Sequence, residues 1–117
     1  ANDGPDAKPH ERITSVGGRA AIKVYDTSAI VTREVVDHLT AVAEDPGIPH
    51  QLEVMSRGGT DTRELQLSGD GAVAGCVSIP TRYVHQVVEA CHPDDVDAAV
   101  RLVAGFCETA HGLVPAA

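Results

Sequence analysis

Hydrophobic and polar positions along the chain predict strands and helices in turn. The short runs AAIKVY (20–25) and HQLEVM (50–55) are rich in β-type residues, and the second alternates apolar with polar side chains, so both predict strands. The continuous apolar run AVAGCVSI (72–79) predicts a strand that is buried on both faces. Residues 1–18 are polar, contain proline and glycine and lack periodicity, which predicts an extended loop.

Helical spacing predicts one helix between the first two strands and a longer one near the end of the chain. The first begins after Thr32 and ends near Asp45, because the following Pro-Gly cannot continue it. A short helix over 62–67 follows the turn RGGTD, with Thr60 or Asp61 as its cap. The last helix opens at HPDD, with proline and two aspartates in its first turn. Its apolar stripe comprises Val96, Ala99, Val100, Val103, Phe106, Cys107 and Ala110.

Strands that alternate with helices are typical of an α/β fold. We therefore expect residues 1–117 to form one layered α/β segment, with a largely parallel or mixed sheet and helices on its faces. Ligand sites in such sheets lie beyond the carboxyl ends of strands. The loops SRGGTD and TRYVH each follow a predicted strand, so we expect them to converge on one crevice.

Composition narrows the classes of partner and compartment. The net charge of −8 disfavours nucleic acid and anionic membrane as partners, because both attract basic surfaces. No stretch has the roughly 18 apolar residues of a membrane span, and no signal sequence is visible. Cys76, Cys91 and Cys107 form no CxxC pair, which predicts three buried thiols in a reducing cytoplasm.

No single residue identifies the chemistry of this chain. None of the six histidines belongs to an HxH or HExxH motif. His85 lies in PTRYVHQVVE, just after an apolar run, and is either a metal ligand or a hydrogen-bonded loop histidine. Asp61 is interpreted as a cap, Arg82 as a salt-bridge partner of Glu89, and residues 94–95 as charges that favour a helix N-terminus.

The combination of motifs is more specific than any one residue. GIPHQLEVMSRGGTD, then GAVAGCVSIPTRYVHQVVEA, then HPDDVDAAVRLV resembles the C-terminal part of the tetrahedral (TET) aminopeptidases, a family that includes glutamyl aminopeptidases and cellulase-M proteins. The resemblance extends upstream to ANDGPD and AAIKVYD and covers nearly the whole chain. The positions that match the family motifs are Gly58, Gly59, Thr60, Asp61, Pro80, Arg82, Tyr83, His85 and Glu89.

The resemblance implies a two-metal aminopeptidase that removes N-terminal residues from peptides. Two divalent ions, zinc or cobalt, would activate water, and His85 matches the family's terminal histidine ligand. The glutamate base and the other ligands precede this segment in family members, so the segment alone should be inactive. Family members also assemble, which implies a homo-oligomer for the complete protein.

Two alternatives stay open. The chain could instead be a non-catalytic structural or interaction module in which His85 is an ordinary loop histidine. An upstream reading frame that encodes an HxD motif and a Glu-Glu pair would favour the enzyme. Arg63, just after the Gly-Gly-Thr-Asp turn, either borders the substrate side-chain pocket, where it would favour acidic or small residues, or points to solvent.

Overall fold

The sheet is small and mixed. A computed structural model describes residues 1–113, in which β1 (Ala20–Tyr25) and β2 (His50–Val54) pair in parallel with Ala20 opposite His50. The two-residue strand β3 (Val77–Ser78) pairs antiparallel with the other side of β1. The strand order β2–β1–β3 places β1 in the centre.

Three helices and a second pair of strands complete the fold. The helices are α1 (Arg33–Glu44), α2 (Thr62–Gln66) and α3 (Pro93–Thr109), and β4 (Thr81–Arg82) pairs antiparallel with β5 (Ala90–Cys91). Short 3₁₀ helices span Pro9–Glu11 and Ala110–Gly112.

One face of the sheet packs against α1 and α3 and holds the core. Successive side chains of a strand point to opposite faces, so Ala20 and Ile22 of β1 face the helices, whereas Lys23 points the other way. The buried residues of this cluster are Ala20, Ile22, Val31, Val35, Val36, Leu39, Ala43, Ile48, Ala98, Ala99 and Leu102. The opposite face of the sheet is therefore available for a site.

The expected α/β architecture is confirmed, but the run 72–79 is not one strand buried on both faces. Only Val77 and Ser78 pair with β1 as a strand, and both are half-buried. A Cβ added at Gly75 would lie 2.4 Å from Cγ1 of Val35, so the chain before β3 passes closely over α1. In the segment before β3, Gly75 packs against α1 and the Cys76 carbonyl accepts from the Lys23 N–H at 3.0 Å, whereas Ala72 and Val73 are exposed.

The last helix buries a narrower face than its apolar stripe predicts. Its buried residues are Asp95, Ala98, Ala99 and Leu102. Val100 and Val103 of the predicted stripe are 62% and 45% exposed, because the contacts of α3 with β1 and α1 run along the Ala98–Leu102 side. The helix ends at Thr109, and the 3₁₀ turn continues the chain to Gly112.

Asp95 anchors the N-terminal loop as well as opening α3. It is fully buried, and its carboxylate accepts hydrogen bonds from the backbone N–H groups of Gly17 at 2.7 Å and Arg19 at 2.9 Å. The interpretation of residues 94–95 as helix-dipole charges alone was therefore incomplete. Side-chain capping of α3 comes from His92, whose Nδ1 accepts from the N–H of Asp94.

The cysteine prediction was wrong in part. All three thiols are free, but Cys91 and Cys107 are exposed and Cys76 is half-buried. The strand pair β4–β5 that carries Cys91 lies outside the core, and Cys107 lies on the outer side of α3. Across residues 1–113, none of the helices has both the length and the apolar character needed to cross a membrane.

Candidate active-site cleft

A cleft of about 660 Å³ lies over the face of the sheet that the helices leave uncovered. Lys23 and Glu53, opposite one another in β1 and β2, belong to its lining, as does Ser78 of β3. Ser78 pairs with Ala21, so all three side chains project from this same face. The loops after β2 and β4 form the rim of the cleft.

The structure brings four of the predicted site residues together at this cleft. They are Gly58, Gly59, Thr60 and His85. The two loops do not meet at a shared carboxyl end of the sheet, because β3 runs antiparallel to β1 whereas β2 runs parallel to it. The two loops meet because the cleft lies over one face of the sheet, and both loops border that face.

The floor of the cleft contains a buried charge cluster that the sequence patterns did not identify. Lys23 and Asp26 are 0% exposed and Glu53 is 6% exposed. Lys23 Nζ lies 3.5 Å from Asp26 Oδ2 and 3.4 Å from Glu53 Oε1. Among the residues described, neither Lys23 Nζ nor Glu53 Oε2 has a hydrogen-bond partner. A lysine inside an otherwise apolar strand was the available signal, because such a charge is rarely buried without a partner.

Asp26, at the end of β1, holds the glycine turn in place. Its carboxylate accepts from the Ser28 N–H at 2.8 Å, from the Ser28 Oγ at 2.7 Å and from the Ala29 N–H at 2.9 Å. Thr60 Oγ1 donates to its other oxygen at 2.8 Å. Burial by itself would raise the pKa of Asp26, but the hydrogen bonds from Ser28, Thr60 and Ala29 outweigh burial and hold the pKa well below its usual range. Asp26 is therefore ionised and fixes Thr60.

The Gly58–Gly59 pair is required by the close approach of two loops. Gly58 has φ +89°, a left-handed value that favours glycine, and its carbonyl accepts from the N–H and the Oγ1 of Thr27 at 3.2 and 2.8 Å. A Cβ added at Gly59 would lie 2.7 Å from Ser28 Oγ. The two glycines are thus needed for the packing of the turn, in addition to any role at the cleft.

Asp61 and Arg63 lie away from the cleft. Asp61 is exposed and precedes α2, but its side chain makes no capping hydrogen bond. Thr60, the other predicted cap, bonds to Asp26 instead. Arg63 is exposed, pairs with Glu64 at 2.7 Å and does not line the cleft.

Arg82 ties the N-terminal loop to β4. Its Nε donates to Asp3 Oδ1 at 2.8 Å, and the other oxygen of Asp3 accepts from the Val16 N–H at 2.7 Å. The hydrogen bond from Arg82 holds the pKa of the Asp3 carboxyl below its usual range. The predicted pair of Arg82 with Glu89 was wrong, because Asp3 occupies the guanidinium and Glu89 turns toward His85.

His85 borders the cleft on the loop between β4 and β5. In residues 1–113 its hydrogen bond runs from the backbone N–H to Glu89 Oε1 at 2.6 Å, which leaves both imidazole nitrogens for a ligand. Tyr83, two residues earlier, is 62% exposed and does not line the cleft. An exposed, unengaged imidazole at a cleft has the donor chemistry that zinc and related divalent ions prefer.

Within the described residues 1–113, no group of three or more His, Cys, Asp or Glu side chains could hold a metal ion. These residues by themselves thus do not assemble a metal site around His85. Both carboxylate oxygens of Asp3 are occupied in this arrangement, by Arg82 and by the Val16 N–H.

The known sequences that this chain resembles are named as aminopeptidases. The family model described as M42 glutamyl aminopeptidase matches residues 1–102. A protein named as an aminopeptidase from Acetivibrio thermocellus is 41% identical over 101 residues, which are 86% of this chain and 30% of the relative. Lysyl aminopeptidase from Pyrococcus furiosus is 31% identical over 86 residues, 73% of this chain and 25% of the relative. The chain thus spans less than a third of the length of these relatives.

Solved structures share the fold. An aminopeptidase from the archaeon Desulfurococcus kamchatkensis matches with a TM-score of 0.89 and 33% identity over 99% of this chain and 35% of its own. A TET aminopeptidase from a marine sediment archaeon of the Thaumarchaeota matches with a TM-score of 0.88 and 34% identity, over 97% of this chain and 33% of its own. TET1 peptidase of Pyrococcus horikoshii matches with a TM-score of 0.71 and 31% identity, over 80% of this chain and 27% of its own. That peptidase can assemble into a tetrahedron or a large octahedral shell. The fold of this chain is that of one part of such a peptidase.

Proposed function

Since this chain belongs to the M42 glutamyl aminopeptidase family, we propose that residues 1–117 form the C-terminal part of the catalytic domain of a two-metal aminopeptidase. In this proposal His85 is a terminal metal ligand and peptides with a free N-terminus are the substrates. The observation that carries it is the place of His85, whose imidazole is unengaged at the cleft that Gly58, Gly59 and Thr60 also line.

Two divalent ions, zinc or cobalt, would when bound polarise the scissile carbonyl and lower the pKa of bound water. This chain contributes the surroundings of that site. His85 supplies an imidazole nitrogen from an exposed loop. The Thr60 turn, held by Asp26, forms the opposite rim, and the buried Lys23–Glu53 pair forms the floor. The general base and the remaining ligands belong to other parts of the complete protein.

The proposed roles of the remaining motif residues are indirect. Gly58 and Gly59 allow the turn to approach Thr27 and Ser28, just after β1, and Asp26 holds the turn through Thr60. Arg82 anchors the loop that carries His85, through Asp3. Asp61 and Tyr83 belong to the same motifs but lie outside the cleft.

The experiment is metal analysis and peptidase assay of the full-length protein. His85→Ala should lose one of two bound metal ions and most of the turnover of aminoacyl-nitroanilides. His111→Ala, which removes an exposed histidine on the C-terminal 3₁₀ turn, is the matched control and should keep both. Unchanged metal content in His85→Ala would refute the ligand assignment.

We further propose that the complete protein is a cytoplasmic homo-oligomer without nucleic-acid or membrane partners. Support comes from the net charge of −8, from the free cysteines and from the similarity to the TET1 peptidase that assembles into closed shells. Light scattering of the full-length protein tests the assembly, and a monomer at micromolar concentration would contradict it.

A further inference from the structure

The loop that carries His85 has a strained backbone. It joins β4 to β5 across residues 83–89, and both Tyr83 and His85 have left-handed φ values, +61° and +63°. This region favours glycine, so a bulky residue stays there only where other contacts hold it.

The structure supplies one such contact within the loop. The His85 N–H donates to Glu89 Oε1 at 2.6 Å, a short hydrogen bond to a charged acceptor. A second hydrogen bond, from the Gln86 N–H to the Tyr83 carbonyl at 3.1 Å, closes the turn around it. Because Arg82 is engaged by Asp3, the Glu89 carboxylate has no competing ion pair with that guanidinium.

We propose that Glu89 is a positioning residue for His85. Its carboxylate holds the His85 backbone in the left-handed conformation, and this conformation sets the direction in which the imidazole leaves the chain at the cleft rim. Without Glu89 the backbone relaxes toward negative φ and the imidazole turns away. The positioning rests on the proposed ligand role of His85, whereas the backbone contact does not depend on it.

The backbone contact is tested first, in the full-length protein. Amide hydrogen exchange, resolved at His85 by mass spectrometric fragmentation, should be at least tenfold faster in Glu89→Ala. Glu89→Gln should lie between wild type and Glu89→Ala, because its amide oxygen still accepts a hydrogen bond. Val87→Ala is the control, since Val87 is a fully exposed side chain in the same loop. Unchanged His85 exchange in Glu89→Ala would overturn the inference.

The consequence for the site is tested by metal affinity and turnover. Loss of an outer partner of a metal ligand typically costs about 10- to 100-fold in metal affinity, so we expect that range for Glu89→Ala, with partial recovery in Glu89→Gln. Faster exchange at His85 with wild-type metal affinity and kcat would show a purely structural contact and would also overturn the inference. Failure of the proposed function has a different signature, which is full metal retention in His85→Ala.

Discussion

Lys23 and Glu53 face one another across β1 and β2, with Lys23 Nζ 3.4 Å from Glu53 Oε1 and both side chains buried beneath the cleft. Neighbouring strands place paired residues on the same face, so the parallel register of the sheet creates this ion pair. A buried pair of opposite charges stabilises a fold little by itself, but loss of one partner leaves the other charge uncompensated.

Lys23→Met should therefore destabilise the protein by about 3–5 kcal/mol, because Glu53 would stay buried without a cation. The double variant Lys23→Met/Glu53→Leu should recover part of that loss, because it removes the uncompensated Glu53 charge but leaves Asp26, which also lies beside Lys23 Nζ. Lys8→Met changes an exposed lysine and should stay within about 0.5 kcal/mol of wild type. Urea unfolding of the three variants measures the differences. A double variant as unstable as Lys23→Met would show that the pairing itself is not the reason.

Asp26 should make stability depend on pH in acid. Its folded pKa lies below the ordinary value of 3.8, so the unfolded chain binds a proton first as the pH falls. The stabilisation from ionised Asp26 is thus fully present above about pH 5 and is lost progressively below about pH 4. Asp3, whose pKa is also lowered, contributes with the same sign.

Asp26→Asn removes this contribution, so its unfolding free energy should be lower at neutral pH and should fall less steeply between about pH 5 and pH 2. Urea unfolding at several pH values gives both curves, with Asp70→Asn as a control at an exposed turn residue. Parallel curves for wild type and Asp26→Asn would contradict the assignment of a lowered pKa to Asp26.

Gly59→Ala should distort the turn at the cleft rim. The added Cβ would lie 2.7 Å from Ser28 Oγ and 2.9 Å from Ser28 Cβ, so Ser28 or the turn must shift. We expect a loss of about 1–3 kcal/mol in stability. A drop in kcat/KM should accompany it in the full-length enzyme. Gly4→Ala, where nothing lies within 4 Å of the new atom, is the control. Equal stability of both variants would mean that the turn accommodates a side chain.

The isolated 117 residues should bind zinc weakly and hydrolyse no aminoacyl-nitroanilide. A catalytic zinc normally has three protein ligands, and residues 1–113 hold no group of three or more His, Cys, Asp or Glu side chains that could bind a metal ion. The exposed Leu52 and Val54 on the outer strand β2 should also promote self-association. Calorimetric titration with zinc and light scattering check both expectations. Tight binding of two ions with turnover would show that the ligands are assigned to the wrong residues.

Local patterns determined the positions of the regular elements. The strands at 20–25 and 50–55, the helix after Thr32 and the helix that opens at residue 93 follow from residue type, period and capping, which act over a few neighbours. Residue type also predicted the glycine turn RGGTD. The motifs further indicated the peptidase family, because motifs of that kind are short and contiguous, whereas the ligand role of His85 stays a prediction.

Only the tertiary structure decided which charges meet. Lys23 with Glu53, Asp26 with Thr60 and Asp3 with Arg82 are 30 to 79 positions apart, and no local period relates such residues. Local pattern also could not decide the structure of the run 72–79, because its apolar composition suits both a buried strand and a segment packed on a helix. Register across β1, β2 and β3 determines which side chains share the cleft face, and that register is a property of the assembled sheet.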